Sequence, residues 1–313
     1  MPAVFYQGTG RIKVNFFLEI AYSMRIKKLM PVFLLFFAFT SLQAQDSLRA
    51  MNCWLCKNNQ HTATRPYNYG WKHEIPYIAT SVGLVTIGIV FDKTNDVKPY
   101  TPQELSKLNR NDINAFDRSA TYNWSPGLST ASDVLLVGSV LSPLLFLSNK
   151  STRHDFGWLA LMSWEVLSIN YGMMNTVKNL TNRARPYVYN PDAPMDVRTG
   201  DDSKESFYSG HTSTTAAMTF FVATVLTDYH PDMKTGYKIT IWSLAVVYPA
   251  VTAYLRVGAG KHFPTDVIAG YAIGAFTGWL VPFLHKKKKS TDKFSFAPIS
   301  IQGNAGIYLS YKF

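Results

Sequence analysis

The sequence predicts an all-α protein: a six-helix bundle, membrane-embedded, followed by a short C-terminal β-hairpin. Three observations carry that expectation. The 313-residue chain is 47% hydrophobic and only 16% charged, against roughly 25% charged residues in ordinary soluble domains. The apolar residues gather in six segments, at 75–91, 134–147, 156–177, 213–227, 239–255 and 267–284, with polar or turn-rich breaks between them. After the last segment the pattern changes to period-two alternation, which reads as strand. This composition excludes a disordered chain, which needs low hydrophobicity and high charge density. Two cysteines exclude a disulfide-dense scaffold. A mean hydropathy of −0.03 is high for a soluble enzyme and low for a chain that is mostly bilayer, so the location of the apolar residues decides the reading.

The elements follow in order. Met24-Arg25-Ile26-Lys27-Lys28 precedes an uncharged run to Phe39 and then Thr40-Ser41-Leu42-Gln43-Ala44. A basic start, a short apolar stretch and a small residue before a polar break make a secretory signal pattern. The expected organisation is an N-terminal extension and signal over 1–44, with initiation at Met24 and cleavage after Ala44. An exported segment over 45–74, a helical domain over 75–285, and a basic flank with hairpin over 286–313 follow. Cys53 and Cys56 form a lone C-x-x-C with only His61 nearby; zinc needs further ligands, and the pair suits a small disulfide instead.

The polar stretch 92–133 contains Thr101-Pro102-Gln103-Glu104, a helix start with proline in its first turn. Segment 134–147, bounded by Asp133 and by Asn149-Lys150, is the one expected not to span a membrane. Segment 156–177 carries Glu165 and Asn170, and groups of that kind face a bundle interior rather than lipid. Gly270, Gly274 and Gly278 set a small-residue stripe for close helix packing. Lys286 to Lys289 mark either a solvated helix end or a cytoplasmic flank, and the second is favoured. The tail alternates around Gln302-Gly303-Asn304-Ala305-Gly306 and is read as a packed hairpin.

Chemistry concentrates in three stretches: Lys178 to Pro186, Tyr208 to Ser213, and Arg256 to Asp266. If the six helices alternate up and down, all three meet at one end of the bundle. Lys178, Arg185 and Arg256 supply positive charge, and arginine forks onto two phosphate oxygens. Gly210 lets backbone approach closely, Ser209 adds a hydroxyl, and the N–H groups opening the fourth helix form an anion site. Asp266, four residues after His262, can hold one ring nitrogen and leave the other as a nucleophile. His211 is then free to protonate a leaving oxygen. Arg183 is a weaker candidate for the phosphate shell and Lys261 a bystander. Gly258-Ala259-Gly260-Lys261 lacks the spacing of a nucleotide-binding loop.

These stretches resemble the signature of the type 2 phosphatidic acid phosphatase family, which shares its site with class A acid phosphatases and vanadium haloperoxidases. The family pattern is K-x6-R-P, P-S-G-H and S-R-x5-H-x3-D. Lys178 to Arg185-Pro186 matches the first part; Ser209-Gly210-His211 matches the second with Tyr208 in place of proline; Arg256, His262 and Asp266 match the third with Leu255 in place of serine. The resemblance covers roughly 130–285. It implies phosphate binding by Lys178, Arg185, Ser209, Gly210 and Arg256, a phosphohistidine on His262, His211 as general acid and Asp266 orienting His262. It implies no metal and no cofactor for hydrolysis. The expected substrate is a phosphorylated membrane lipid: phosphatidic acid, phosphatidylglycerol phosphate, polyprenyl diphosphate or lipid A phosphate. The +11 net charge is then spent on a phosphate pocket and a membrane flank, not on nucleic acid.

The expected location is a bacterial inner membrane with the site facing the periplasm. The lysine flank agrees, whereas a cleaved signal followed by six spans puts the site inside. Either the signal stays, or one segment does not span, or the bundle is a soluble periplasmic acid phosphatase. A vanadium-dependent haloperoxidase is the remaining alternative from the same resemblance.

Overall fold

The computed structural model describes residues 65–95, 97–287, 294–301 and 304–311. The signal pattern, the Ala44 cleavage point, the Cys53/Cys56 pair, Lys288 and Lys289 lie outside the described residues. Six long helices contain the six apolar segments: α1 Trp71–Thr94, α2 Pro126–Leu141, α3 Phe156–Thr181, α4 Gly210–Tyr229, α5 Thr235–Gly258 and α6 Pro264–His285. A 3-10 stretch, Ser142–Ser148, prolongs α2.

Local chemistry sets the helix starts. Ser125 caps α2 through its hydroxyl, with Pro126 in the first turn, so the helix begins eight residues before the apolar run. Ser209 caps α4 by accepting from the Thr212 amide. In α6, Pro264 opens the first turn and Asp266 reaches back to accept from the Phe263 amide at 2.8 Å. Asn182 closes α3 in the left-handed conformation, φ 44°.

The helices alternate in direction. At one end the Asn68 amide donates to His285 O (2.8 Å) and the Lys287 amide to Pro66 O (2.9 Å), joining the start of α1 to the end of α6. At the other end Asn95 Nδ2, just past α1, donates to Asn179 O at 2.8 Å near the end of α3. The ends of α1, α3 and α5 and the starts of α2, α4 and α6 therefore share the end that carries the three motif stretches.

Helix α4 runs through the centre and is buried along most of its length. It meets α6 at backbone distance: a Cβ on Gly270, Gly274 or Gly278 would stand 2.6, 2.0 or 2.1 Å from the carbonyl oxygens of Ser209, Ser213 and Ala217. Any side chain there would push the two helices apart, so the glycine stripe is the surface that seats α6 on α4. The apolar core beside it is built from Phe146, Leu159, Met162, Val166, Met218 and Phe221. As expected, Glu165 and Asn170 point inward, both buried, and Asn170 Nδ2 donates to Ser213 Oγ and Thr214 Oγ1 at 3.1 Å each.

Four helices are long and apolar enough to cross a membrane: α1, α2 with its 3-10 extension, α5 and α6. The expectation for 134–147 meets a longer helix than the apolar run alone suggests. The early start at Pro126 and the extension to Ser148 give that element 23 residues, enough for the roughly 20 that a span needs. The two long helices outside this set, α3 and α4, reach that length but hold the polar interior. The four apolar helices turn side chains such as Trp71, Ile87, Val247, Tyr254, Phe276 and Trp279 outward. A soluble monomer rarely exposes so continuous an apolar surface; lipid accounts for it.

Residues 101–122 fold as short helical turns over the motif end. Thr101 and Glu104 close a reciprocal cap, Thr101 N to Glu104 Oε2 at 2.7 Å and Glu104 N to Thr101 Oγ1 at 3.3 Å. Leu105 packs into a small second core with Tyr187, Val188 and Ala193. After α6, β1 Phe294–Ile301 and β2 Asn304–Tyr311 pair antiparallel, with Phe294 opposite Tyr311 and Ile301 opposite Asn304.

Candidate active site

All three stretches converge. Lys178 stands on the last turns of α3, and Arg185 on the loop that follows. Ser209, Gly210 and His211 open α4, Arg256 ends α5, and His262 and Asp266 bracket the start of α6. Backbone bonds bind the loops together: Arg185 N to Ser203 O (2.9 Å), Ser206 N to Arg183 O (3.0 Å), Tyr187 N to Gly260 O (3.0 Å) and Ser209 N to Asp266 O (3.1 Å).

His262 is buried, and its Nδ1 donates to the Ser206 carbonyl at 2.7 Å. A carbonyl only accepts, so Nδ1 carries the proton and Nε2 the lone pair. Burial, reinforced by Arg185, Arg256 and Lys178, holds the imidazole well below the usual histidine range and keeps it neutral.

Asp266 does not play the part expected of it directly. Its Oδ2 lies 3.8 Å from His262 Nδ1, beyond hydrogen-bond range. It accepts instead from Ser206 Oγ and the Phe263 amide, while Oδ1 accepts from Arg183. The carboxylate thus fixes Ser206, whose carbonyl holds the imidazole. Arg183 in turn is not free for phosphate. It spans Asp266 and Asp117 (2.8 Å) with its guanidinium 4.3 Å over the Phe263 ring. Asp117 also accepts from the Thr265 amide and hydroxyl at 3.0 and 2.7 Å.

Each cation expected to take phosphate faces a carboxylate from outside the motifs at a distance too long for a good hydrogen bond. Lys178 lies 3.6 Å from Glu205, Arg185 lies 3.5 Å from Asp202, and Arg256 lies 3.7 Å from Asp133. Nε of both Arg185 and Arg256 is buried without an acceptor among the described residues. Buried unpaired donors of this kind are costly, and an anion lodged between the two guanidinium groups would satisfy both.

His211 Nε2 is 2.7 Å from Asp133 Oδ1. Sequence reasoning treated Asp133 only as a segment boundary. A lone acid within the apolar stretch that became α2 was the available signal, since a charge at that depth needs a partner. Lys261 is no bystander either. Its Nζ lies 4.8 Å from the Tyr187 ring centroid, and burial together with Arg185 lowers it to about 8. Burial alone would raise Asp202, but Arg185 and Lys261 hold it well below the usual carboxylate range. The room left by the missing Cβ of Gly210 is filled by the Met174 side chain, so the glycine also serves the α3–α4 contact.

Residues 159–290 match the family model described as the PAP2 superfamily, and all three stretches fall inside them. This part of the chain is similar to the PAP2 superfamily. Among curated proteins the chain is similar to the lipid A 4'-phosphatase of Porphyromonas gingivalis, 33% identical over 78 residues, which is 25% of this chain and 29% of that protein. The chain therefore matches under a third of that relative's length. Among solved structures it is similar to the transmembrane PAP2-type phosphatidylglycerolphosphate phosphatase of Bacillus subtilis, at 22% identity and a TM-score of 0.42, covering 68% of this chain and 98% of that one. The PAP2 region leaves out α1, α2 and the 101–122 turns, and with them Asp117 and Asp133. At the motif end, among the described residues, metal-ligating side chains do not gather; the one such trio, His73, Glu74 and His285, lies at the opposite end.

Proposed function

We propose that the protein is a membrane-embedded phosphatase that removes phosphate from a lipid phosphate through a phosphohistidine on His262. The observation that carries this is the state of His262: neutral, its Nδ1–H donated to Ser206 O, and surrounded by cations of which two keep an unpaired Nε donor.

In this reading the phosphoryl oxygens displace the loosely held carboxylates and take the Lys178, Arg185 and Arg256 donors, with Ser209 Oγ and the first N–H groups of α4 completing the cradle. His262 Nε2 attacks phosphorus as the ester P–O bond breaks, and His211 gives its proton to the departing alcohol oxygen. Water then attacks the phosphohistidine, His211 takes the water proton, and His262 returns with inorganic phosphate released. Asp133 holds the His211 Nε2 proton until the leaving oxygen replaces it. Arg183, Asp117 and Asp266 act through Ser206 as positioning residues.

Lipid substrates fit the four apolar helices, and the similarity to a lipid A 4'-phosphatase puts lipid A phosphate first among the candidates. Arg65, Lys72, Lys286 and Lys287 at the end opposite the motifs favour a cytoplasmic position for that end, which turns the site toward the periplasm. The test is phosphate release by purified protein from a panel of lipid A, phosphatidylglycerol phosphate, phosphatidic acid and p-nitrophenyl phosphate, with carbonate washing of the membranes. Retention in the membrane and preference for a lipid are expected. Release into the wash with activity confined to the soluble ester would support the soluble acid phosphatase instead.

A further inference from the structure

A second cluster of titratable groups lies at the opposite end of the bundle, and the phosphatase reading makes no use of it. His285, at the end of α6, is fully buried between Glu74 of α1 and Glu165 of α3, themselves buried. Along α6 it is roughly 28 Å from Asp266 at 1.5 Å per residue, too far to take part in phosphate transfer.

The hydrogen bonds of His285 define its chemistry. Nδ1 is 2.7 Å from the Val281 carbonyl, so Nδ1 is the protonated nitrogen. In the neutral ring Nε2 is then a lone pair, and it points at Glu74 Oε2 (3.1 Å) and Glu165 Oε2 (3.3 Å). Lone pair against two carboxylate oxygens is repulsive unless a cation lies between them. A single proton on Nε2 leaves one carboxylate uncompensated in a water-excluded core. Glu74 Oε1, both Glu165 oxygens and His73 Nδ1 are buried with no hydrogen-bond partner among the described residues, an arrangement that is costly for an unpaired charge.

A divalent cation resolves both problems, neutralising two carboxylates and accepting the Nε2 lone pair. The spacing suits one. A tetrahedral ion with bonds of about 2.0–2.1 Å keeps its ligands about 3.3 Å apart, close to the two His285 distances. Ligand atoms of His73, Glu74 and His285 all lie within 4.8 Å of one another, and Glu165 Oε2 borders that trio, 3.3 Å from His285 Nε2. The Val281 carbonyl behind Nδ1 is the outer contact that metal-bound imidazoles ordinarily have.

We propose that His73, Glu74 and His285, with the carboxylate of Glu165 beside them, form a buried structural site for a divalent transition-metal ion, zinc by its mixed nitrogen and oxygen donors. The ion ties α1 to α3 and α6 at this end, adding to the close packing of α1 on α3 at Gly88 and Gly172.

The test uses the full-length, untagged protein in mild detergent. Metal content is measured by mass spectrometry after desalting, and the thermal midpoint is measured before and after a chelator and after adding Zn²⁺ back. About one zinc per chain is expected, with a midpoint that falls on chelation and recovers with Zn²⁺. Glu165→Gln and His285→Ala should each lower the zinc content at least tenfold, and His262→Ala should retain it. Wild-type protein without stoichiometric metal, whose midpoint ignores both chelator and Zn²⁺, would overturn the site and leave a proton-sharing cluster in its place.

Discussion

Asp266 and Glu165 are both fully buried carboxylates in one core, and their surroundings differ completely. Asp266 accepts from Arg183, Ser206 and the Phe263 amide, whereas Glu165 has no hydrogen-bond donor among the described residues. A buried charge with every acceptor filled is a fixed strut, and here it fixes the loop that presents His262. A buried charge without donors is stable only beside a counter-charge, and His285 by itself supplies one positive charge for two glutamates. One end of the bundle has thus built its own neutralisation; the other needs a cation.

That contrast is broken most severely at the residue the strut presents. His262→Ala should abolish phosphate release while leaving the thermal midpoint near wild type, because the His262 side chain makes one hydrogen bond among the described residues. His211→Ala should cost roughly 10²–10⁴ in kcat on a lipid ester, the range of a general acid, and much less on p-nitrophenyl phosphate, whose leaving group needs no proton. Next, Arg183→Ala leaves Asp266 and Asp117 buried without their cation and should lower stability by about 3–5 kcal/mol, read from chemical denaturation. Glu165→Gln in chelated protein should lower it by less than 1 kcal/mol or raise it, since no donor is lost. An equal loss in both variants would contradict the distinction drawn between the two carboxylates.

The smallest effect concerns Lys261. Because its ammonium is lowered to about 8, raising pH through that value removes one positive charge from the pocket. KM for a phosphate monoester should rise above about pH 8, and Lys261→Met should flatten that limb while leaving kcat largely unchanged.

Much of this was legible in the sequence. Apolar segments mark all six helices, and alternation of six helices brings Lys178, Ser209, Arg256 and His262 to one end. What escaped is what depends on partners far along the chain. Asp117 and Asp133 precede the motifs by tens of residues, and no spacing rule links Asp133 to His211. The direct contact expected of Asp266 is absent because an i, i+4 pair at a helix mouth has two outcomes: the carboxylate can reach the imidazole or cap the amide one residue after the histidine, and here it caps the Phe263 amide. Segment 134–147 looked too short because a serine cap and a proline extend helix through residues that are not themselves hydrophobic.

The most direct measurement is trapping the covalent intermediate. Wild-type protein mixed with a ³²P-labelled lipid phosphate and quenched in alkali should carry an alkali-stable, acid-labile label on His262, absent from His262→Ala. Label on another residue, or steady turnover by His262→Ala, would contradict the proposed chemistry of the motif end.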